Sequence, residues 1–237
     1  MSHGPQCLDG VTAAVVVARF HPDCLVDVRF SSNDAINETL LSLQCEPAND
    51  EHELWITDIS WTSPDVDRHL QSLLDRGVRI YWIDHHRTAI ERQRAGEVGV
   101  KPTEVVLSER YAASRLTFDY LGERRPDCAI AKCLAQLVAM ADDNDRWLHR
   151  IKGSRELALT VSAMPDDSAF HELLRCDDEV SYSPAMREAS ARIEAELQRS
   201  FALAERSRSE RNLGEATLVS ALCDGYASEI SDRWGKE

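Results

Sequence analysis

Two apolar runs, Glu53-Leu54-Trp55-Ile56-Thr57-Asp58-Ile59 and Val78-Arg79-Ile80-Tyr81-Trp82-Ile83, flank a segment from Asp65 to Arg76 whose apolar residues recur at helical spacing and which Gly77 closes. Strand, helix and strand in that order constrain the fold strongly, because two parallel strands need a crossover of about a dozen residues between them. The pattern extends both ways along the chain. Val11 to Phe20 reads as a buried helix that follows a turn at Asp9-Gly10 and stops at His21-Pro22. Cys24 to Phe30 reads as a strand, Asp34 to Leu43 as a helix and Val105 to Leu107 as a short strand. Helices are expected from Tyr111 to Leu121 and from Cys128 to Met140, the second ending in an acidic cluster. The predicted fold class is α/β, a mainly parallel sheet flanked by helices over residues 1–150.

From Ser154 onward the pattern turns helical. Residues 151–213 read as a helical connector, with a long charged helix from Ser183-Pro184 to about Glu210 packed along one narrow stripe. Residues 214–237 hold a strand from Ala216 to Leu222 and a helix from Ala227 to Trp234, too little to bury a core alone. They are expected to open a truncated second domain.

Charge narrows the partners. A formal net charge of -14 argues against tight non-specific binding to duplex DNA, which needs a basic face. A short or phosphorylated substrate held through cations fits, because bound ions invert the field of an acidic pocket. The seven cysteines form no CxxC pair, as expected for reduced thiols in a cytoplasmic protein. No stretch reaches the ~18 apolar residues of a membrane span, and no basic and apolar leader opens the chain. Oligomeric state stays open.

Four clusters put metal-competent side chains at expected strand or helix ends: His3-Gly4-Pro5-Gln6-Cys7-Leu8-Asp9-Gly10, Thr57-Asp58, Asp84-His85-His86, and Asp142-Asp143-Asn144-Asp145-Arg146-Trp147. Ligands of open α/β sheets collect at the carboxyl ends of the strands, where Asp58 and Asp84 are expected. Together the clusters supply imidazole, carboxylate and thiol for a two-metal centre. There a shared carboxylate holds cations ~3.5–4 Å apart and activates water against a phosphoryl group.

These clusters, in this order, resemble the motifs of the DHH phosphoesterases, a family that includes RecJ-type exonucleases, nanoRNA-degrading oligoribonucleases, cyclic-dinucleotide phosphodiesterases and inorganic pyrophosphatases. His3 to Asp9 fits the family's H-x-x-x-D-x-D with one substitution, Asp58 its strand-end aspartate, Asp84-His85-His86 the triplet that names it, and Asp145 its fourth aspartate. The resemblance implies one metal held by His3, Cys7 and Asp58 and a second held by Asp9, Asp58, His85 and Asp145. His86 would face the phosphate as donor or general acid, and Asp84 would orient its neighbours. It also implies manganese as the usual ion and a hydroxide, activated by two metals, that hydrolyses phosphodiester bonds of short oligoribonucleotides or cyclic nucleotides. The alternatives are a phosphatase acting on polyphosphate or mononucleotides, and an inactive or incomplete domain that works only in association.

The chain departs from that pattern twice. Cys7 replaces the usual aspartate, and a soft thiolate favours zinc or iron at its site; the other reading of Cys7 is a small buried thiol. The apolar strand that normally precedes the first motif has no room before His3, so the first strand is expected to be missing. Among other residues, Arg146 is the favoured phosphate contact ahead of Arg110 and Arg115. Trp147 reads as a core residue, with stacking on a base as the alternative. His149 reads as a structural helix position, with contact to substrate as the alternative, and His21, His52, His69 and His171 read as surface or loop positions.

Overall fold

The computed structural model describes residues 1–44, 51–125 and 130–235. The first two residues of the helix expected from Cys128 therefore lie outside the described ones. Five parallel strands form the central sheet: β1 (Ser2–His3), β2 (Phe30–Ser31), β3 (Glu53–Thr57), β4 (Arg79–Asp84) and β5 (Glu104–Leu107). Their order is β2-β1-β3-β4-β5. The chain leaves β1 toward one edge of the sheet and returns to β1's other side at β3, so the switch point lies between β1 and β3. Open α/β sheets bind their ligands at such a point, outside the carboxyl ends of the strands.

Residue alternation along the strands builds two cores. Trp55, Tyr81 and Ile83 face a core shared with helices α1 (Leu8–Phe20), α5 (Ala113–Arg124) and α6 (Ile130–Asp145), whose buried residues include Val15, Leu116 and Leu137. Ile56, Ile80 and Trp82 face the opposite core, formed with α2 (Ile36–Leu41) and α3 (Pro64–Asp75) through Ile36, Leu40, Leu70 and Leu73. Helix α3 begins where the sequence suggests: Pro64 occupies its first turn, and the Ser63 hydroxyl accepts the Asp65 N–H at 3.2 Å. Both faces of β3 and β4 are covered, which explains their unbroken apolar runs.

Several elements differ from the sequence expectation. Asp9-Gly10 is no turn; both residues belong to the first turn of α1, which starts at Leu8. A two-residue β1 does sit inside the sheet, pairing Ser2 with Phe30 and with Thr57. Of the run expected as a strand from Cys24 to Phe30, only the end is paired, as Phe30–Ser31, because its ladder neighbour β1 is two residues long. Leu25 is fully exposed. Helix α4 (Arg87–Ala95) was not expected: it buries only Ala89 and Ile90, too narrow a stripe to read by periodicity, although Gly96 closes it at φ 71°.

Beyond α6, the chain continues as the helices α7 (Ser154–Ser162) and α8 (Ser168–Leu173), which pack onto the first core. Leu157, Val161, Phe170 and Leu173 complete the core around α1. Helix α9 (Pro184–Ser207) buries the narrow stripe Met186, Ala189, Ile193, Ser200 and Ala204. It ends at Ser207 rather than near Glu210, because the following residues form β6 (Ser209–Asn212), paired antiparallel with β7 (Thr217–Ser220). The described chain closes with α10 (Ala227–Gly235). No helix among the described residues is long and apolar enough to cross a membrane.

Candidate metal centre

The carboxyl ends of the central strands carry the candidate ligands. His3 ends β1, Asp58 follows β3, and Asp84 ends β4 with His85 and His86 directly after it. Helix α1 adds Cys7 from its N-cap and Asp9 from its first turn, and α6 adds Asp145 as its last residue. These side chains, far apart in sequence, form three overlapping groups that could hold a metal ion: His3, Cys7 and Asp58; Asp9, His85 and Asp145; and Asp58, Asp84, His85 and His86.

Asp58 is the hinge of the arrangement. Its Oδ2 lies 3.5 Å from His3 Nδ1 and accepts the Cys7 thiol at 3.4 Å. Its Oδ1 faces the other way, 3.3 Å from His85 Nε2. His85 Nε2 in turn lies 3.4 Å from Asp145 Oδ2 and 3.8 Å from Asp9 Oδ2. Asp58 adopts a left-handed backbone at φ 58°, a conformation that aspartate tolerates better than most side chains but that costs free energy, as strained residues at functional sites commonly do.

Two atoms test whether a cation fits. Asp58 Oδ1 and His85 Nε2 are both buried without a hydrogen-bond partner among the described residues. Leaving such groups unsatisfied is expensive, and a divalent ion between them would satisfy both. Electrostatics agree. Burial pushes the Asp9 carboxyl well above its usual range, with Asp58 and Asp145 adding to the effect. Yet both Asp9 oxygens accept backbone N–H groups at the start of α5, from Ala113 at 2.8 Å and Ser114 at 2.9 Å, the geometry of an ionised carboxylate. A nearby cation removes that conflict. Burial also raises Asp145, and it raises the Cys7 thiol well above its usual value, with Asp58 and Asp9 adding to the latter.

On Asp58 burial opposes the charge, but the imidazoles of His3 and His85 outweigh it and hold the carboxyl below its usual range. On His85 burial again opposes the charge, and Asp58, Asp145 and Asp9 override it, pushing the imidazole up to about 9. The donors therefore carry mutually dependent charges whenever no ion neutralises them.

Asp84 plays a different part. Fully buried, it takes three donors on Oδ1: the His85 N–H at 2.7 Å, the His86 N–H at 3.1 Å and His86 Nδ1 at 2.6 Å. Its Oδ2 accepts the Ser60 hydroxyl at 2.5 Å, and Ser60 accepts the Trp82 indole N–H at 3.1 Å. The carboxylate thus fixes both histidines and the tautomer of His86, leaving His86 Nε2 available. The Asp84 hydrogen bond also raises the His86 pKa.

Close packing of α1 against β1 makes the site possible. A Cβ on Gly10 would stand 2.1 Å from the His3 carbonyl oxygen and 3.1 Å from Asp58 Oδ2. Only glycine admits that approach. Sequence reasoning missed Gly10 and Ser60 as site residues. The Asp9-Gly10 pair resembles a turn, and nothing in the local pattern around Ser60 signals a partner for a carboxylate on another strand.

The acidic cluster of α6 separates by role. Asp142 accepts the Ala112 N–H at 2.7 Å, and Asp143 accepts N–H groups of Arg150 at 2.9 Å and Ile151 at 3.2 Å together with the Ser154 hydroxyl at 2.5 Å. Asp145 alone of these three acids belongs to a donor group. Arg146 lies 3.4 Å from Asp142 and 5.6 Å from the Tyr111 ring centre, where Arg110 and Arg115 also converge at 5.0 Å each. Trp147 is not a core residue but 45% exposed.

The remaining histidines divide. His171 is exposed, but His21 is half-buried against Trp55, with Nδ1 2.7 Å from the Val17 carbonyl oxygen and Nε2 3.5 Å from Glu53. His69 is half-buried, with Nε2 3.0 Å from the Leu43 carbonyl oxygen, and His52 Nε2 is buried without a hydrogen-bond partner among the described residues. His21 does lie in the loop that follows α1, with its ring packed against Trp55 of the sheet. A cavity of about 370 Å³ beside His21, Trp55 and Arg79 lies at the opposite ends of the strands and includes none of the candidate ligands. No protein-family model, curated protein or solved structure matches the chain.

Proposed function

We propose that this chain is a DHH-type, metal-dependent phosphoesterase that hydrolyses phosphodiester bonds of short oligoribonucleotides or cyclic nucleotides. The observation that carries the reading is the divided carboxylate of Asp58, with one oxygen toward His3 and Cys7 and the other toward His85, which adjoins Asp9 and Asp145. A bridging carboxylate between two donor sets is what a pair of cations needs.

One set, His3, Cys7 and Asp58, combines imidazole, thiol and carboxylate and suits zinc or iron. The other, Asp9, Asp58, His85 and Asp145, is rich in oxygen and suits manganese. Such a pair, when bound, supplies Lewis acidity toward the phosphoryl oxygens and acidifies water.

The chain's own residues do the rest. Asp84 and Ser60 hold His86 so that its Nε2 can present a proton to a phosphate oxygen or to the leaving group, and the raised pKa of His86 favours the protonated form. Asp9, anchored on the α5 backbone, keeps the second donor set rigid. Arg146, beside Asp145 and clustered with Arg110 and Arg115 around Tyr111, supplies positive charge for a phosphate within an otherwise acidic protein.

The test is to purify the chain, measure bound metal, and assay it with manganese against a dinucleotide, a cyclic nucleotide, polyphosphate and an artificial phosphodiester. Diester hydrolysis that disappears in both Asp58→Ala and His85→Ala supports the proposal. Turnover confined to polyphosphate or monoesters, or diester hydrolysis undiminished in Asp58→Ala, overturns it.

A further inference from the structure

The turn after α6 carries a side chain where backbone geometry favours none. Trp147 N–H donates to the Asn144 carbonyl at 2.9 Å and Leu148 N–H to the Asp143 carbonyl at 2.9 Å, the paired bonds that close a helix through a left-handed residue. Glycine usually fills that position because it escapes the Cβ penalty. Here Trp147 fills it at φ 53°, and His149 two residues later is left-handed as well, at φ 49°.

The strained loop is held firmly. The Asp143 carboxylate ties down Arg150, Ile151 and Ser154. The Trp147 indole leans on the His149 ring, with centroids 4.5 Å apart, and the Arg155 guanidinium lies 5.7 Å from its centre. Arg155 is itself fixed by Asp232 at 3.2 Å and Glu229 at 3.7 Å. These contacts fix the orientation of the indole but leave it 45% exposed, whereas Trp55, Trp61 and Trp82 are buried. Trp147 is also two residues past the candidate ligand Asp145, so the two Cα atoms lie at most about 7.6 Å apart.

An indole held by its neighbours at a position that favours glycine, two residues from a candidate metal ligand, leaves apolar aromatic surface uncovered. We propose that Trp147 is a stacking platform for the base of a nucleotide whose phosphate lies at the metal centre. The inference rests on the phosphoesterase reading above and specifies its substrate as base-bearing, which separates nucleotides from polyphosphate. Stacking tolerates any base, so the platform selects for single-stranded nucleotides without selecting sequence.

The experiment compares AMP with ribose 5-phosphate, which lacks the base, by calorimetric titration of the manganese-loaded full chain. The parent should bind AMP at least about five-fold more tightly, the effect of one stacked base. Trp147→Gly, which suits the left-handed backbone, should bring the two affinities together, and Trp147→Tyr should restore most of the difference. Equal affinities in the parent, or a base preference unchanged in Trp147→Gly, overturn the platform.

Dinucleotide hydrolysis by the same proteins separates this inference from the reading beneath it. Hydrolysis that needs Asp58 but keeps its KM in Trp147→Gly overturns the platform and leaves the phosphoesterase standing. A base preference that depends on Trp147 in a chain that hydrolyses no diester supports the platform and overturns the phosphoesterase.

Discussion

Gly10→Ala is expected to destabilise the protein and dismantle one side of the metal centre, against the ordinary helix preference for alanine. In a free helix interior, alanine is favoured over glycine by about 0.8–1 kcal/mol. At residue 10 the added Cβ would stand 2.1 Å from the His3 carbonyl oxygen and 2.8 Å from the carbonyl carbon, where ordinary contact begins at 3.4 Å. The obstacle is backbone, so no rotamer change relieves it; β1 and α1 must separate by more than an ångström. Overpacking of this kind costs about 1–3 kcal/mol, enough to cancel the propensity gain and leave a net loss of up to about 2 kcal/mol. For a chain of this size that corresponds to a fall of up to roughly 8 °C in Tm. Moving β1 also carries His3 away from Asp58 Oδ2, so zinc affinity should fall as well.

Calorimetric melting in EDTA and with zinc measures both effects. Gly122→Ala is the control: it lies in α5, and its Cβ would meet nothing within 4 Å, so it should raise stability by about 0.5–1 kcal/mol. A Gly10→Ala protein that melts with or above the parent and keeps its zinc affinity would refute the close approach of α1 to β1 as the basis of the site.

Ser60→Ala leaves the Asp84 carboxylate oxygen and the Trp82 indole N–H short of a partner, a loss of roughly 1–3 kcal/mol measurable by urea titration. Because Asp84 then holds His86 less firmly, diester hydrolysis should drop about 10- to 100-fold, and unchanged kcat would show that Ser60 does not position the triplet. Cys7→Asp exchanges a soft donor for a hard one. The ratio of zinc to manganese affinity, read by competition with a chelating dye, should fall, and an unaltered ratio would remove Cys7 from the donor set. In metal-free protein the His85 imidazole is raised from 6.5 to about 9, so its stabilising contribution is complete below about 6.5 and disappears as pH rises through 9. Tm in EDTA should decline across that window, and His85→Gln should flatten the decline; the same slope in both proteins would assign the pH dependence to another group.

Much of the fold is legible because apolar periodicity is a local property. The unbroken runs of β3 and β4, the amphipathic α3 between them and the acids at their ends all follow from neighbours in sequence, and so does the parallel α/β class. The triplet Asp84-His85-His86 and the acid Asp58 are visible for the same reason, since each marks the end of a patterned segment, whereas Asp145 stands out from the other acids of its cluster only through the family resemblance. Arg87–Ala95 escaped because a helix that buries two side chains leaves almost no periodic trace.

Contacts between segments distant in the chain lie beyond any local pattern. That β1 lies between β2 and β3, so that His3 meets Asp58 across 55 residues, depends on strand order, which pairing decides and composition does not. Which acid of α6 turns toward His85 depends on the phase of that helix in its packing, and Asp142 and Asp143 are drawn off by backbone N–H groups of other segments. Gly10 and Ser60 matter through one atom placed against a residue elsewhere in the chain. Local pattern is enough for the kinds of element and for the chemistry of the donor residues. Tertiary packing alone decided which donors meet, because distance in space is set by the joint burial of segments that carry no mark of one another.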